Sequence, residues 1–231
     1  MKIEIWSDIA CPWCYIGKRR FEKALGQFEH RDAVEVVWRS YQLDAVAPAS
    51  YGVPTVELLA KKYGMTAAQA AEANARVSEQ AAGEGLAYRL DRTQAGNTFD
   101  AHRLTHLAAR YGRQEQMNER LMRAYLEEGE LMSDPETLVR LAGEVGLPEA
   151  EVRDLLAGEE LTQAVRADEY RGQQFGVRGV PFFAIDEKYA ISGAQPAAVM
   201  LQVLREVWAK SQPLVAVGGS GGQCADGSCE V

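Results

Sequence analysis

The chain has 231 residues, with 25 Lys and Arg against 33 Asp and Glu, which gives a formal net charge of -8. An acidic chain without a basic stripe is a poor partner for nucleic acid or anionic lipid, so we expect neither as a ligand. A hydrophobic fraction of 47% and a charged fraction of 25% exclude disordered and fibrous classes. No apolar run approaches the ~20 residues that span a bilayer, and the first residues lack a signal-peptide core. We therefore expect a cytoplasmic protein without membrane contacts.

The first part of the chain predicts a strand, a helix and a second strand. Residues 2–6 alternate like a half-buried strand, and residues 34–41 are rich in β-branched and aromatic side chains. Between them, residues 12–28 carry apolar side chains at helical spacing, with Pro12 in the first turn, where proline is favoured. This order predicts a βαβ unit with two parallel strands.

The middle of the chain, from about Asp44 to Phe175, predicts helices and almost no strand. Thr66 and the Asp134-Pro135 pair are typical helix starts, and glycines mark several helix ends. No fixed period repeats, which excludes a solenoid. The predicted helices are residues 56–63, 66–84, 98–111, 114–128, 135–145, 149–157 and 160–175.

Strand signals return near the end of the chain. Residues 182–185 and 189–192 flank a short turn and predict a hairpin, and residues 196–210 predict a closing helix. We therefore predict one α/β domain over residues 1–43 and 176–215, interrupted by an all-α helical insertion over residues 44–175. An insertion at a surface connection costs little loop entropy. Residues 216–231 have the composition of a flexible Gly-rich tail.

The four cysteines form two close pairs, Cys11 with Cys14 near the start and Cys224 with Cys229 near the end. In an intracellular chain, close pairs point to redox chemistry or metal binding. Cys11 follows the first strand at the start of a helix, where free backbone N–H groups and the helix dipole favour a thiolate. The thiolate is the nucleophile in disulfide exchange.

The spacing of the first pair predicts two different roles. We expect an exposed Cys11 that attacks a substrate disulfide and a more buried Cys14 that resolves the mixed disulfide. Two buried structural cysteines, or half of a zinc site, are the alternatives, although zinc normally takes four ligands. A lone Cys-x-x-Cys after a strand in a βαβ unit is typical of thioredoxin-like domains, which favours the redox interpretation.

Three segments resemble the DsbA family of thiol–disulfide oxidoreductases, and within it the FrnE-like subgroup. They are residues 7–18 with the Cys-Pro-Trp-Cys motif, residues 97–104 (Asn-Thr-Phe-Asp-Ala-His-Arg-Leu) and residues 176–183 with Gly-Val-Pro. The resemblance implies a thioredoxin fold with a helical insertion and a redox centre that needs no cofactor. The implied partners are disulfide-bonded or unfolded proteins and a thiol reductant such as glutathione or a thioredoxin system.

The resemblance also assigns a role to the Val180-Pro181 pair. Thioredoxin-fold proteins place a cis-proline at this point, facing the Cys-x-x-Cys motif. Such a proline would keep a backbone edge open for an extended substrate peptide. The alternative is an ordinary proline that opens a strand.

One departure from the family concerns the residues between the cysteines. Pro12 and Trp13 stand where DsbA proteins typically carry Pro-His, and Trp13 lacks the charge by which a histidine helps to stabilise the thiolate. We therefore expect a less oxidising centre, suited to isomerisation or reduction. Hydroxychromene-carboxylate isomerases and kappa-class glutathione transferases share the layout but carry Ser at the position of Cys11. A polypeptide-binding chaperone or metal-binding protein with incidental thiols is the other alternative.

Two further groups of residues are candidate sites. Cys224 and Cys229 enclose an Asp-Gly turn dipeptide and could form a regulatory redox pair, a metal chelate or a pair of adventitious thiols. His102 and His106 share one helix face at a spacing that can hold zinc. They lack the intervening glutamate of a metalloprotease, so we interpret His102 as a packing and hydrogen-bonding residue of the insertion and expect no metal site.

Overall fold

The computed structural model describes residues 1–211 and contains one four-stranded sheet. The strands are β1 (Lys2–Ser7), β2 (Glu35–Ser40), β3 (Phe182–Ile185) and β4 (Tyr189–Ser192). Their spatial order is β2-β1-β3-β4, with β1 parallel to β2 and the other two pairings antiparallel. This confirms the α/β fold and the parallel pair predicted at the start of the chain.

Nine α-helices lie among the described residues, and none of them has the length and apolarity needed to cross a membrane. A 3-10 turn spans Arg31–Ala33, and a π-helical turn spans Ala124–Glu128. The α-helices are α1 (Pro12–Gly26), α2 (Thr55–Tyr63), α3 (Ala67–Gly83), α4 (Phe99–Arg110), α5 (Gln114–Arg123), α6 (Pro135–Glu144), α7 (Glu149–Ala157), α8 (Thr162–Gln174) and α9 (Ala197–Ser211).

The predicted helix starts are confirmed by their capping contacts. Thr66 and Gln69 form a reciprocal capping box at the start of α3. The Asp134 carboxylate accepts a hydrogen bond from the Thr137 N–H at 2.9 Å and so caps α6. At the end of α2, Gly64 adopts a left-handed conformation with φ 64°. These signals act over a single turn, which is why sequence alone identifies them.

One predicted helix differs from the structure. Residues 114–128 were expected to form a continuous α-helix, whereas α5 ends at Arg123 and the chain continues as a π-helical turn. The Glu130 N–H donates to the Ala124 carbonyl across this wider turn, at 2.9 Å. The Leu126 carbonyl accepts from the Arg89 N–H at 2.7 Å. A contact with a distant segment therefore accompanies the change in helix type.

The sheet is covered on both faces. Helices α1 and α9 cover one face and share a core with Ile3 and Ile5 of β1. Helix α8 lies on the other face, where the Trp6 indole N–H donates to the Asp168 carbonyl at 2.8 Å. Helix α8 falls inside the range 44–175 assigned to the insertion, yet it packs against the sheet. Other buried residues of this range, mainly from α3 to α7, form a second core that extends to Tyr15 and Ile16 of α1.

Charged side chains line the face of the sheet below α8. Arg39 and Arg171 both donate to the Glu4 carboxylate, and Arg39 also donates to Asp168 at 2.9 Å. The Ser40 N–H adds a second donor to Asp168 at 3.0 Å. Burial raises the pKa of Glu4, but the two arginines outweigh that effect and lower it overall. Paired charges therefore join α8 to β1 and β2.

The packing of α8 on the sheet predicts a strong effect of Gly172→Ala. A Cβ at Gly172 would lie 2.8 Å from Trp6 Nε1, so the helix or the indole must shift. We expect a loss of about 1–3 kcal/mol in the free energy of unfolding, measured by urea denaturation.

Gly143→Ala is the matched control, because a Cβ there meets nothing within 4 Å. That change should be neutral or stabilising by up to about 1 kcal/mol. Equal unfolding free energies for Gly172→Ala and the unaltered protein would contradict the packing described here.

Candidate active site

The Cys11-to-Cys14 segment, predicted to be the redox motif, lies where β1 passes into α1. Cys11 is the N-cap residue of α1, with extended backbone angles of φ -90° and ψ 111°, and its side chain makes no capping hydrogen bond. Its N–H donates to the Asp8 carbonyl at 3.1 Å, and its carbonyl accepts from the Cys14 N–H at 3.0 Å. Pro12 occupies the first turn, where an N–H would have no helical partner. This confirms the predicted position at a helix start.

Cys14 is buried as predicted, but Cys11 is more enclosed than predicted. The expectation of an exposed Cys11 is wrong, since Cys11 is only 4% exposed, against 1% for Cys14. The Cys11 thiol points to the Val180 carbonyl at 3.6 Å, so the 176–181 segment helps to cover it. Both residues are free thiols in the structure.

The environment of Cys14 opposes ionisation. Burial and the neighbouring Cys11 sulfur raise the pKa of Cys14 well above its usual value. The Ser7 hydroxyl and the Asp8 backbone N–H lie beside the Cys14 sulfur and act in the opposite direction. The raised pKa therefore favours the neutral thiol form of Cys14.

The proline segment approaches the redox motif as expected. The Val180–Pro181 peptide bond is cis, and Pro181 packs against the face of α1. A Cβ at Gly17 would lie 2.7 Å from Pro181 Cγ, so only glycine permits this approach. The Pro181 carbonyl accepts from the Gly193 N–H at 2.8 Å. The structure thus brings Val180 and Pro181 next to Cys11.

Trp13, between the two buried cysteines, is 40% exposed. Pro12 lies beside it and is half-buried. The two residues between the cysteines therefore form part of the surface of the motif, and Trp13 presents an aromatic ring to solvent. The second cysteine pair, Cys224 and Cys229, lies outside the described residues.

Asp8 connects the loop before Cys11 to the rest of the chain. Its carboxylate accepts from the Leu43 N–H at 2.7 Å and from the Ala10 N–H at 3.3 Å. His102 Nε2 lies 3.3 Å from the same carboxylate. Asp8 is 2% exposed, so its buried carboxylate links the loop before Cys11 to Leu43 and His102.

The two histidines do not converge on one ligand. His102 contacts Asp8, whereas His106 Nε2 lies 3.0 Å from Asp168 and 3.2 Å from the Ser40 hydroxyl. In the part of the chain that the structure describes, no three His, Cys, Asp or Glu side chains are grouped to hold a metal ion. The histidines instead join α4 to the site loop and to the sheet.

Tyr88 is a site residue that sequence reasoning missed. Its hydroxyl donates to the Pro12 carbonyl at 2.6 Å, and its ring stacks on Tyr15 with centroids 6.2 Å apart. Burial, and then the charge that each cysteine sulfur would carry, raise the pKa of Tyr88, so its hydroxyl remains a donor. Tyr88 lies in a non-helical segment without a motif, and no sequence signal pointed to it.

Charged residues fix the same helix to α5. Glu119 accepts from the Tyr15 hydroxyl at 2.5 Å and from Arg19 at 3.0 Å, and Lys18 Nζ lies 2.8 Å from its carboxylate. Burial raises the pKa of Glu119, but hydrogen bonds from Arg19, Lys18 and Tyr15 lower it overall to about 2. Lys18 is only 2% exposed, whereas the side chains of Arg19 and Glu119 are 28% and 30% exposed, so this cluster is a partly buried tie between α1 and the insertion.

A thioredoxin-like sheet, a dithiol at a helix start and an adjacent cis-proline define a class of redox proteins with a helical insertion. The chain belongs to the DSBA-like thioredoxin domain family, whose sequence model matches residues 2–205. The structure also resembles the probable DsbA oxidoreductase SCO1869 from Streptomyces coelicolor. The two are 46% identical with a TM-score of 0.89, and the match covers 100% of this chain and 99% of that one.

Two solved structures share the fold at lower identity. The cytosolic disulfide reductase DsbM from Pseudomonas aeruginosa, determined with GSH, is 16% identical with a TM-score of 0.61 over 90% of this chain and 100% of that one. A 2-hydroxychromene-2-carboxylate isomerase is 13% identical with a TM-score of 0.67, over 91% and 95%. The family membership supports a general redox function, and the FrnE-like placement remains a prediction.

The tie between α1 and α5 predicts a pH-dependent contribution to stability. Since the pKa of Glu119 falls from 4.5 to about 2 on folding, its contribution is present above pH 4.5 and lost between 4.5 and about 2. Glu119→Gln should lower the free energy of unfolding by on the order of 2 kcal/mol at neutral pH. The difference from the unaltered protein should shrink near pH 3, measured by urea denaturation at both pH values.

Glu115→Gln provides the control, because Glu115 lies on the same helix, is 63% exposed and is 3.7 Å from Lys18. It should change stability by less than about 0.5 kcal/mol. A difference between Glu119→Gln and the unaltered protein that stays constant with pH would contradict the assignment.

Proposed function

We propose that this protein is a thiol–disulfide oxidoreductase of protein substrates, with Cys11 as the attacking cysteine and Cys14 as the resolving cysteine. The observation that carries the proposal is the placement of Cys11. It is the N-cap of α1, and its sulfur lies 3.6 Å from the carbonyl oxygen of Val180, the residue before cis-Pro181. A substrate disulfide at this point would meet both a nucleophile and an open backbone edge.

The exchange proceeds in two balanced steps. The Cys11 thiolate attacks one sulfur of the substrate disulfide, a mixed disulfide forms, and the other substrate sulfur leaves as a thiolate that takes up a proton. Cys14 then loses its proton to solvent and attacks the Cys11 sulfur. The Cys11–Cys14 disulfide forms, and the second substrate sulfur leaves and is protonated. Two electrons pass from the protein dithiol to the substrate. Attack by a different substrate thiol on the mixed disulfide gives isomerisation instead.

Exposed apolar side chains beside the motif support a polypeptide as substrate. Trp13 is 40% exposed and Leu43 is 45% exposed. The Leu43 N–H donates to Asp8, which places it next to the loop that carries Cys11. An apolar surface around a dithiol suits an unfolded chain, whose hydrophobic residues are accessible.

The electron donor and the compartment are part of the same proposal. A reducing compartment such as the cytoplasm suits a chain whose cysteines occur only in close pairs. The shared fold with a disulfide reductase determined with GSH makes glutathione the first reductant to test. The Cys224 and Cys229 pair is proposed to relay electrons to the redox motif or to regulate it.

Refolding of a protein with scrambled disulfides tests the proposal. The intact chain should restore the native disulfides in a glutathione buffer, and Cys11→Ser should abolish this activity because the nucleophile is lost. Cys14→Ser should accumulate mixed disulfides with the substrate, since nothing resolves them. The double variant Cys224→Ser/Cys229→Ser is the matched control and reports what the second pair adds. Full activity in Cys11→Ser would refute the assignment.

Other results would favour the alternative functions. An intact chain that is inactive on protein disulfides, but turns over a small aromatic substrate with glutathione, would favour an isomerase or a glutathione transferase. Suppression of aggregation that survives Cys11→Ser would favour a chaperone with incidental thiols. Stoichiometric metal in the purified protein would favour metal binding.

The residue between the cysteines should set the direction of exchange. Trp13→His places a chargeable group between the two cysteines in sequence, at a position that is 40% exposed, so the core is undisturbed. Stabilising the thiolate of the reduced form should raise the reduction potential by about 30 mV, a tenfold change in the equilibrium constant. The potential is measured by equilibration with glutathione redox buffers. Trp13→Phe, the control, should stay near the unaltered value, and an equal potential for Trp13→His would contradict the expectation.

A further inference from the structure

The end of strand β1 places an unsatisfied hydroxyl at the redox motif. Ser7 is the last residue of β1 and lies on the same strand face as Ile3 and Ile5, which α1 covers. The residue is 3% exposed, and its hydroxyl oxygen has no hydrogen-bond partner among the described residues. Its side chain lies beside the sulfur of Cys14 on the first turn of α1.

A buried hydroxyl without a partner calls for an explanation, because native proteins satisfy nearly all such groups. An alanine here would remove the unsatisfied atom at little structural cost. The Ser7 carbonyl, by contrast, has a partner, since it accepts from the Tyr41 N–H at 3.1 Å. The backbone of Ser7 therefore contributes to the sheet, whereas its hydroxyl makes no contribution to the reduced structure through hydrogen bonds with the described residues.

The other polar groups around the cysteine pair are already engaged. The Tyr88 hydroxyl donates to the Pro12 carbonyl, and the Cys11 thiol points to the Val180 carbonyl. The Asp8 carboxylate only accepts hydrogen bonds, and its contacts include His102. Ser7 is thus the uncommitted side-chain donor beside Cys14 in the described part of the chain.

We propose that the Ser7 hydroxyl is a catalytic hydrogen-bond donor that stabilises the negative charge on Cys14 during disulfide exchange, an inference that rests on the proposed function. Cys14 carries this charge when it attacks the Cys11 sulfur to resolve the mixed disulfide. It carries the charge again when a thiolate attacks Cys11 of the oxidised protein and Cys14 leaves. In both steps the hydroxyl turns toward the sulfur and joins the Asp8 backbone N–H as a second donor.

The expected size of the effect follows from two opposing factors. A hydrogen bond to a charged group changes the thiolate population by about tenfold. A more basic thiolate is also a better nucleophile, with a Brønsted coefficient of about 0.4–0.5. The higher reactivity of each thiolate therefore offsets about threefold of the tenfold loss in thiolate population. Loss of the donor should therefore slow the attack by Cys14 about threefold at neutral pH.

A symmetrical nitroaromatic disulfide that releases a coloured thiolate separates the two steps. With the full chain carrying Cys224→Ser and Cys229→Ser, one release reports the attack by Cys11 and the next reports resolution by Cys14. In Ser7→Ala the first rate should stay unchanged, and the second should fall about threefold, with its pH profile displaced to higher pH. Ser7→Thr, which keeps the hydroxyl, should restore the second rate.

Ser40→Ala is the matched control, because Ser40 is the register partner of Ser7 on β2 and is equally buried, but its hydroxyl lies near His106. It should leave both release rates unchanged. Urea unfolding of Ser7→Ala should show no loss of stability, which a structural role for the hydroxyl would produce.

A second release in Ser7→Ala with the rate and pH profile of the parent chain would overturn the inference. The failure of the proposed function would look different. In that case the parent chain would show no second release, or Cys14→Ser would retain it. The two failures are therefore separable in one experiment.

Discussion

The burial of helix α1 on two sides is the constraint on which the site depends. Phe21 and Ala24 of α1 pack toward the sheet, and Tyr15 and Ile16 belong to the core of the insertion. Lys18 is buried where the two halves meet. Because the first turn of this helix carries both cysteines, anchoring α1 from both sides gives the dithiol one position. A site built on a packed helix holds its geometry better than one on a free loop.

Enclosure also sets the electrostatics of the cysteine pair. A sulfur removed from water is a poor thiolate unless the protein supplies donors, because charge in a low-dielectric environment is costly. The fold provides few such donors at Cys14, namely the Asp8 N–H and the Ser7 hydroxyl. The two cysteines therefore differ in their surroundings although only two residues separate them. This difference agrees with the proposed roles, in which Cys11 attacks the substrate and Cys14 resolves the mixed disulfide.

The fold could be predicted from the sequence where the signals are local. Thr66, Asp134 and the hairpin residues specify caps and turns within a few residues, and the βαβ order specifies a parallel pair. The π-helical turn at Ala124–Glu128 was not predicted, since the Arg89 contact that accompanies it comes from a distant segment. Helix α8 packs on the sheet for the same kind of reason, because its partners are Glu4, Arg39 and Trp6.

The sequence by itself determined the Cys-x-x-Cys spacing, its place at the start of a helix and the interruption of the α/β domain by helices. These features depend on spacing, capping and periodicity, which act along the chain. Only the tertiary structure decided that Cys11 is covered, that Tyr88 donates to the Pro12 carbonyl and that the Ser7 hydroxyl lies beside Cys14. Burial and hydrogen bonding between residues far apart in sequence, such as Tyr88 and Pro12, arise only when the sheet and the insertion close around α1.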